Sequence, residues 1–533
     1  MTTIRTVTCY ITCYLCITTS IEAARILAII PIPSYSHQIP YRPIWITLSQ
    51  RGHEVVLLTT DPINDPSLTN LTEINFNHTY EFFEEYNVNF VNYLYNAYSW
   101  LDTAREYIWP MGHGLTKTIY EHPQVRKMYA PNSGEKFDLI IIENLLTPGL
   151  YGLAHRFNAP LIGGASLGIY SHTHYLLGLP VLPSHPSTWE MEYDIGFNLP
   201  LWQRTKNFIR QWYHIYRAMQ DFYPKQQAIA EKYLGKNIPN IADIERNMSL
   251  VLVNQQDTIS FARPRTPNII LFGSFHVSSK LAPLSKDLEK FLANASNGFV
   301  YVSLGTNVDM LSFPRHILNA FIDVFTKLPY KVVLKVNGEI ANKSDNIYIA
   351  PWFPQQSLLA HSNIKLFIYQ GGLQSTEEAV HYAVPLVGIP VLADQYAQVF
   401  RMVYLGVAKY LNAMEISKEL LNATIIEVIS DKRYKERMLE VKALLKDKPY
   451  DLLENAIWWI EFVIRHKGAS HLVNTIVYEP WYQRYDGDII AVLSISTFII
   501  LICALLFIYK LVNAVRSFYS TSSEINSKKQ KIN

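Results

Sequence analysis

The chain has 533 residues, of which 49% are hydrophobic and 17% charged, with a formal net charge of +2. That length holds two or three globular domains, and the hydrophobic content excludes wholesale disorder. A nucleic-acid-binding body is also excluded: residues 510–533 carry five basic side chains against Glu524, a net +4, which leaves the remainder near −2.

In chain order, residues 1–24 read as a signal peptide. Arg5 supplies the leading charge, an apolar stretch follows, and Ser20, Ala23 and Ala24 offer small residues for cleavage. Residues 25–30 (RILAII) and 54–60 (EVVLLTT) are strand-like runs. They flank a loop, PIPSYSHQIP, and a helical segment ending at Arg51-Gly52-His53, a strand–helix–strand unit with a right-handed crossover. His37 stands in that loop, just past the first strand; a lone histidine is ordinarily structural. Tyr80 to Trp100 packs nine aromatics into 21 residues, which suits either a packed helix pair or the wall of an apolar pocket.

Buried parallel strands are predicted at 138–142 (DLIII) and 159–163. Gly164-Ala165-Ser166-Leu167-Gly168 then matches the G-x-S-x-G elbow of serine hydrolases. After a polar connector near 276–286, further strands are predicted at 299–303, 331–335, 365–369 and 385–389, and helices from 415 to about 467. The fold class is therefore α/β, two doubly wound units facing each other, with a cleft at the strand ends.

Residues 489–509 (IIAVLSISTFIILICALLFIY) run from Ile489 to Tyr509 without a charge. At 1.5 Å per residue they span about 30 Å, enough for a bilayer. The basic tail after them predicts a cytosolic C-terminus and a lumenal body. Six sequons, at Asn70, Asn77, Asn247, Asn294, Asn342 and Asn422, all precede the span. The terminal Lys529-Gln530-Lys531-Ile532-Asn533 resembles a di-lysine retrieval signal, which implies the endoplasmic reticulum. All four cysteines, Cys9, Cys13, Cys16 and Cys503, lie in the two apolar ends, so the body has neither a disulfide nor a cysteine-ligated zinc. Asp486-Gly487-Asp488 has the look of a metal-binding DxD but sits beside the span as a charged flank; no metal is expected.

The most informative stretch is 352–395, WFPQQSLLAHSNIKLFIYQGGLQSTEEAVHYAVPLVGIPVLADQ. A strand ends at Tyr369, Gly371-Gly372 turns the chain, and a helix begins, so free amides and positive potential meet at a place suited to a diphosphate. The whole array resembles the UDP-glycosyltransferase signature. The resemblance covers nearly the entire chain and is nearest the membrane-bound insect enzymes and their baculoviral relatives.

The resemblance implies two facing Rossmann-like domains of GT-B type plus one transmembrane helix. The boundaries expected are 25–280 for the acceptor domain, 281–455 for the UDP-sugar domain, 456–488 for a helical linker, 489–509 for the span and 510–533 for the tail. It implies an inverting transfer of a hexose, with glucose the expected sugar, from a UDP-sugar to hydroxyls of small lipophilic acceptors. His37 should be the base and Glu143, in FDLIIIEN, its orienting carboxylate, with Asp138 the alternative. Trp352 should stack on uracil, Gln355 bond its edge and Glu378 hold the ribose. Ser375 and the amides after Gly372 should hold the diphosphate at the Gly371-Gly372 turn, with Gln370 a neutral amide contact to phosphate and Ser303 lining the same site, and Asp394 and Gln395 should bond the sugar. Three departures from the family pattern stand out: Gln370 for a frequent His, Gln398 for Asn and Ala383 for Gly, the last two bearing on sugar preference. Beyond its UDP-sugar co-substrate no cofactor is implied; oligomers remain open. Competing readings are a non-catalytic binding protein of the same fold and a lumenal esterase using Ser166, which leaves the 352–395 array unexplained.

Overall fold

Thirteen short runs of Val, Ile, Leu and their neighbours pair into two parallel sheets. The computed structural model describes residues 23–530 apart from 87, 97–98, 183–188, 192–197 and 341–342; residues 1–22 of the signal peptide, Asn342 and the last three residues lie outside the described residues. The chain divides into two compact units, Met1–Val473 and Asn474–Asn533.

The first sheet of the larger unit contains β1 (Arg25–Ile30), β2 (Glu54–Thr59), β3 (Leu71–Asn75), β4 (Leu139–Glu143), β5 (Leu161–Ala165), β6 (Leu250–Asn254) and β7 (Ile269–Phe272). The second contains β8 (Phe299–Ser303), β9 (Lys331–Lys335), β10 (Ile347–Ala350), β11 (Ile364–Tyr369), β12 (Leu386–Gly388) and β13 (Ala408–Tyr410). Their orders are β3-β2-β1-β4-β5-β6-β7 and β10-β9-β8-β11-β12-β13. The predicted 138–142 and 159–163 strands begin one and two residues later than expected. β3, β6, β7, β10 and β13 are additional.

Alternation explains why each sheet is buried on both faces. Leu27 and Ile29 of β1 enter one apolar cluster while Ile26, Ala28 and Ile30 enter another. In β8, Val300 and Val302 pack on one side and Phe299 and Tyr301 on the other. Such strands need helices above and below, and the crossovers supply them. In each sheet the order reverses at one place, between β1 and β4 and between β8 and β11, and crevices open there at the carboxyl ends of the strands.

The helix Leu452–His466 is capped by Asp451, whose side chain accepts from Glu454 N. It buries Ile457, Ile460 and Val463 against the cluster holding Trp45 and Leu48 of the first sheet, and Arg51 Nη1 donates to its Glu461 at 3.0 Å. The chain thus leaves the second sheet and closes back on the first, so the sequence boundary at 455 falls inside this helix.

The smaller unit contains a single long helix, Gly487–Gln530, 44 residues. Its Gly487–Ser523 portion is long and apolar enough to cross a membrane, and its span window is fully exposed. The predicted span ended at Tyr509; the helix runs on through the basic tail, because Lys and Arg are good helix formers and no Gly or Pro stops it.

Candidate active site

The first crevice is built from the ends of β1, β4 and β5. His37 stands in the short helix Tyr35–Gln38 that follows β1, held there because Gln38 Nε2 donates to Ile30 O at 3.1 Å and Ile32 O at 3.0 Å. Glu143 is the last residue of β4. His37 Nδ1 and Glu143 Oε1 are 2.6 Å apart, with side-chain exposures of 12% and 0%. Ser166, one residue past β5, donates to Glu143 Oε1 at 2.6 Å and lies 2.7 Å from the same His37 Nδ1. Ser166 and the carboxylate therefore share one ring nitrogen. In a hydrolase triad they face opposite nitrogens, so the G-x-S-x-G match does not build a nucleophile. Nε2 of His37 makes no hydrogen bond to any described residue, and the ring lines the cleft. Asp138 is at the other end of β4, where it accepts from Arg25 N at 2.8 Å.

The second crevice lies at the ends of β8 and β11. After β11 come Gln370 and the Gly371-Gly372 turn. Gly371 has φ +97°, and a Cβ there would meet Gln395 O at 2.7 Å, so only glycine fits. The helix Leu373–Tyr382 starts with Gly372 as its cap and no capping side chain. Its first intrahelical bond runs from Thr376 N to Gly372 O, which leaves the earlier amides for a ligand. Gln370 packs on Gly305 so closely that a Cβ at Gly305 would lie 2.2 Å from its Nε2, and its Oε1 is buried without a partner.

Trp352 is 58% exposed, with Tyr35 edge-on at 5.9 Å and the Lys335 ammonium 5.6 Å from its ring. Gln355 Nε2 donates to Ser375 Oγ at 3.0 Å and Glu378 Oε2 at 2.6 Å, while its Oε1 accepts from Tyr301 at 3.2 Å. Both ends of that amide are engaged within the protein. Ser303 lines the same space. Burial pushes Glu378 and its neighbour Glu377 up to about 7. Between them sits His276, 3.7 Å from Glu377 and 3.6 Å from Glu378; burial pushes it down to about 4, and its Nε2 donates to Gln374 O at 3.2 Å.

Asp394 precedes the helix Gln395–Tyr404. Burial raises its carboxyl to about 6, an effect opposed by the nearby His37, so the two crevices meet at this pair. Gln395 Oε1 accepts from Val391 N at 2.8 Å and Leu392 N at 3.0 Å, which leaves its amide nitrogen for the cleft. Gln398 hydrogen-bonds the Asp394 side chain. Ala383 has no place in the donor site. It closes the far end of the helix Leu373–Tyr382 in a left-handed conformation, φ 56°, so the glycine often found there answers a capping need.

One cavity of about 660 Å³ joins both crevices. His37, Ser303, Trp352, Gln355, Gln370, Gly372, Ser375, Glu378, Asp394 and Gln395 all line it. Glu143 stands behind His37, and Gly371 behind the turn. Beyond His37 the wall becomes apolar, with Phe83, Phe90, Trp100, Met111, Tyr170 and Trp189. The aromatic segment is divided in its use: Tyr80 bonds Asp61 and Tyr95 packs on Phe313, while Phe83, Phe90 and Trp100 face the cavity. Ser166 entered the sequence reading only as a hydrolase nucleophile, and His276, Gln356, Gln374 and Lys335 escaped it as site residues. Gln374 Nε2 bonds Ser36 O across the cleft at 2.9 Å, and Gln356 Nε2 bonds Glu378 at 3.1 Å.

A family model described as UDP-glucoronosyl and UDP-glucosyl transferase matches residues 25–520. The chain belongs to that family. This UDP-glycosyltransferase is 30% identical over 523 residues to UDP-glucosyltransferase 2 of Dactylopius coccus, covering 95% of this chain and 96% of that one. It is 29% identical to the ecdysteroid UDP-glucosyltransferase of Spodoptera littoralis nuclear polyhedrosis virus, over 89% of this chain and 95% of the other. The solved structure of the glycotransferase of kitacinnamycin superposes with a TM-score of 0.55 at 18% identity, covering 84% of this chain and 100% of that one. The transferase thus has the two-sheet architecture of GT-B enzymes, and its activity is glycosyl transfer from a UDP-sugar. Five of the six sequons, at Asn70, Asn77, Asn247, Asn294 and Asn422, are exposed.

Proposed function

We propose that this transferase moves glucose from UDP-glucose onto hydroxyl groups of small lipophilic acceptors, with its body in the lumen of the endoplasmic reticulum and its C-terminal helix in the membrane. The observation that carries this reading is the meeting of a His37–Glu143 pair, 2.6 Å apart, with a helix N-terminus that has no capping side chain, in a single cavity. The acceptor domain takes residues 25–280 and the UDP-sugar domain runs from 281 to the start of the helix Leu452–His466, which returns to the first sheet.

Trp352 offers an open ring face for uracil, and Glu378 accepts from the ribose hydroxyls. Gln355 reaches the uracil edge by exchanging one of its protein partners. The Gln370 amide, Ser303, Ser375 and the amides after Gly372 take the diphosphate, and Asp394 and Gln395 take the sugar hydroxyls. The acceptor lies against the apolar wall. Its hydroxyl gives its proton to His37 Nε2 as the oxygen bonds to the anomeric carbon; the bond from that carbon to the diphosphate oxygen breaks on the opposite face, so configuration inverts. UDP leaves with its charge against the helix N-terminus. Glu143 holds Nδ1–H and balances the imidazolium, and Ser166 holds Glu143. The glucose preference draws on the printed names of the insect and viral relatives, both glucosyltransferases.

Membranes carrying the protein, incubated with labelled UDP-glucose or UDP-glucuronic acid and a panel of phenols, flavonoids and ecdysteroids, test this. Glucosides that vanish in His37→Ala are expected. Glucuronides in their place would overturn the sugar, and transfer surviving in His37→Ala would overturn the base.

A further inference from the structure

Behind Tyr170 and Trp189 in the apolar wall lies a cluster that the transfer reaction does not use. His172 comes from the helix Ser171–Leu176, Glu190 from the turn Trp189–Met191 and His214 from the helix Leu201–Arg217. One ligating atom of each lies within 4.8 Å of the other two. His172 is 3% exposed and Glu190 and His214 are 6% exposed. His172 Nδ1, Glu190 Oε1 and His214 Nε2 are all buried without a hydrogen-bond partner. Glu190 Oε1 and His214 Nε2 come within 2.9 Å yet are not aligned for a hydrogen bond.

Buried polar atoms are ordinarily hydrogen-bonded, and three that converge on a point with only an ion-pair contact between two of them need an explanation. Proximity without alignment is how ligands around a shared centre are arranged; in a tetrahedral zinc site the donor atoms stand about 3.4 Å apart. The carboxylate is also held from behind. Its Oε2 accepts from Ser171 N at 2.7 Å and from the Ser171 hydroxyl, which in turn accepts from Gln211 Nε2 at 3.2 Å. Such support fixes the direction of a ligating oxygen.

We propose that His172, Glu190 and His214 form a structural site for a first-row divalent transition metal, zinc foremost. Two imidazoles and one carboxylate suit zinc and its neighbours; calcium and magnesium prefer oxygen alone. The Arg263 guanidinium also interacts with Glu190, so the metal has to compete for that charge, and the two imidazoles provide the means. Gln211 Oε1, buried and unpartnered one turn before His214, is available as a further oxygen donor. The site goes beyond the transfer reaction, for which no metal is expected. Its consequence falls on the acceptor: Tyr170 stacks on His172 at 5.1 Å and packs on Trp189 at 4.7 Å, so the metal ties together the elements that place both rings in the wall.

The test uses the full-length protein in detergent, stripped with a chelator and dialysed against zinc or cobalt(II). About one equivalent of either metal per chain is expected, with cobalt d–d absorption typical of nitrogen and oxygen ligands. Zinc should raise Tm and lower the acceptor KM while leaving UDP affinity unchanged. Glu190→Gln and His214→Gln should bind zinc at least tenfold more weakly and lose the Tm response, with UDP binding checking their fold. Wild-type protein without stoichiometric metal, variants that bind as well as wild type, or a cobalt spectrum dominated by thiolate charge transfer would each overturn the site. The wild-type spectrum decides alone if both variants misfold.

Discussion

Replacing Glu143 by Gln removes one negative charge and almost no volume from the protein interior. The Glu143 side chain is fully buried and His37 is 12% exposed. Before proton transfer the pair is worth one hydrogen bond between an uncharged imidazole and a carboxylate. After it, an imidazolium faces the carboxylate with charge centres roughly 4 Å apart, and at an effective dielectric near 20 the attraction is about 4 kcal/mol. That interaction belongs to the transition state, so its loss appears in kcat. At about 1.4 kcal/mol per tenfold, kcat should fall by about 10³. The amide oxygen of Gln can still accept from Nδ1–H, so the loop stays in place, and the uracil contacts lie on the other sheet. Initial rates of glucoside formation, with UDP affinity measured by displacement, make the comparison. A Glu143→Gln protein with kcat within tenfold of wild type, and with UDP affinity and Tm preserved, would refute the assignment of His37 and Glu143 as base and counter-charge.

Ser166→Ala removes a donor to the buried carboxylate, a charge-assisted bond worth about 1.5–3 kcal/mol. The expected result is a loss of about tenfold in kcat with a shifted pH profile, recovered by Ser166→Thr; a role in packing alone leaves the profile where it was. Gly305→Ala puts a methyl 2.2 Å from Gln370 Nε2 at φ +77°. Displacing that amide should raise the UDP-glucose KM tenfold or more, with the acceptor KM unchanged, and equal changes in both would refute a donor-side role for Gln370. Glu377 and Glu378 titrate at about 7 in the folded chain, against 4.5 as their ordinary value. The folded state therefore holds extra protons between those values, and the stability this contributes is complete below about pH 4.5 and lost as pH rises through about 7. Tm of the UDP-free protein should fall between about pH 4.5 and 7, less steeply in Glu378→Gln, while UDP binding should tighten over the same range as the carboxylate ionises. A flat Tm profile would show that neither carboxyl is raised.

How much could be read from the residues followed from how each part is built. β1, β4, β8 and β11 are buried on both faces and appear as unbroken apolar runs, so they were legible. β3 is an edge strand, LTEIN, with one buried residue, and β13 has three residues; neither leaves a pattern. β6, LVLVN, is fully buried, but a four-residue apolar run has no period that separates strand from helix. The donor half of the site was legible because strand, glycine turn and helix N-terminus follow one another within 352–395. The other half is assembled by strand order. His37 and Glu143 are 106 residues apart and meet because β4 lies beside β1; Ser166 joins them because β5 lies beside β4. What separates a nucleophilic serine from a positioning one is the ring nitrogen it faces, and no spacing in the sequence encodes that. His276 was similarly hidden in a connector that read as merely polar, although it lies between the two carboxylates of the donor helix. Yet the location of the whole site follows from topology alone. Each sheet has one reversal of strand order, at β1/β4 and at β8/β11, and loops at the carboxyl ends leave a crevice only there. A chain of two such sheets with facing strand ends must bring its two crevices together, and the residues that close each reversal, His37 with Glu143 and Ser303 with Gln370, are those through which a donor and an acceptor can meet.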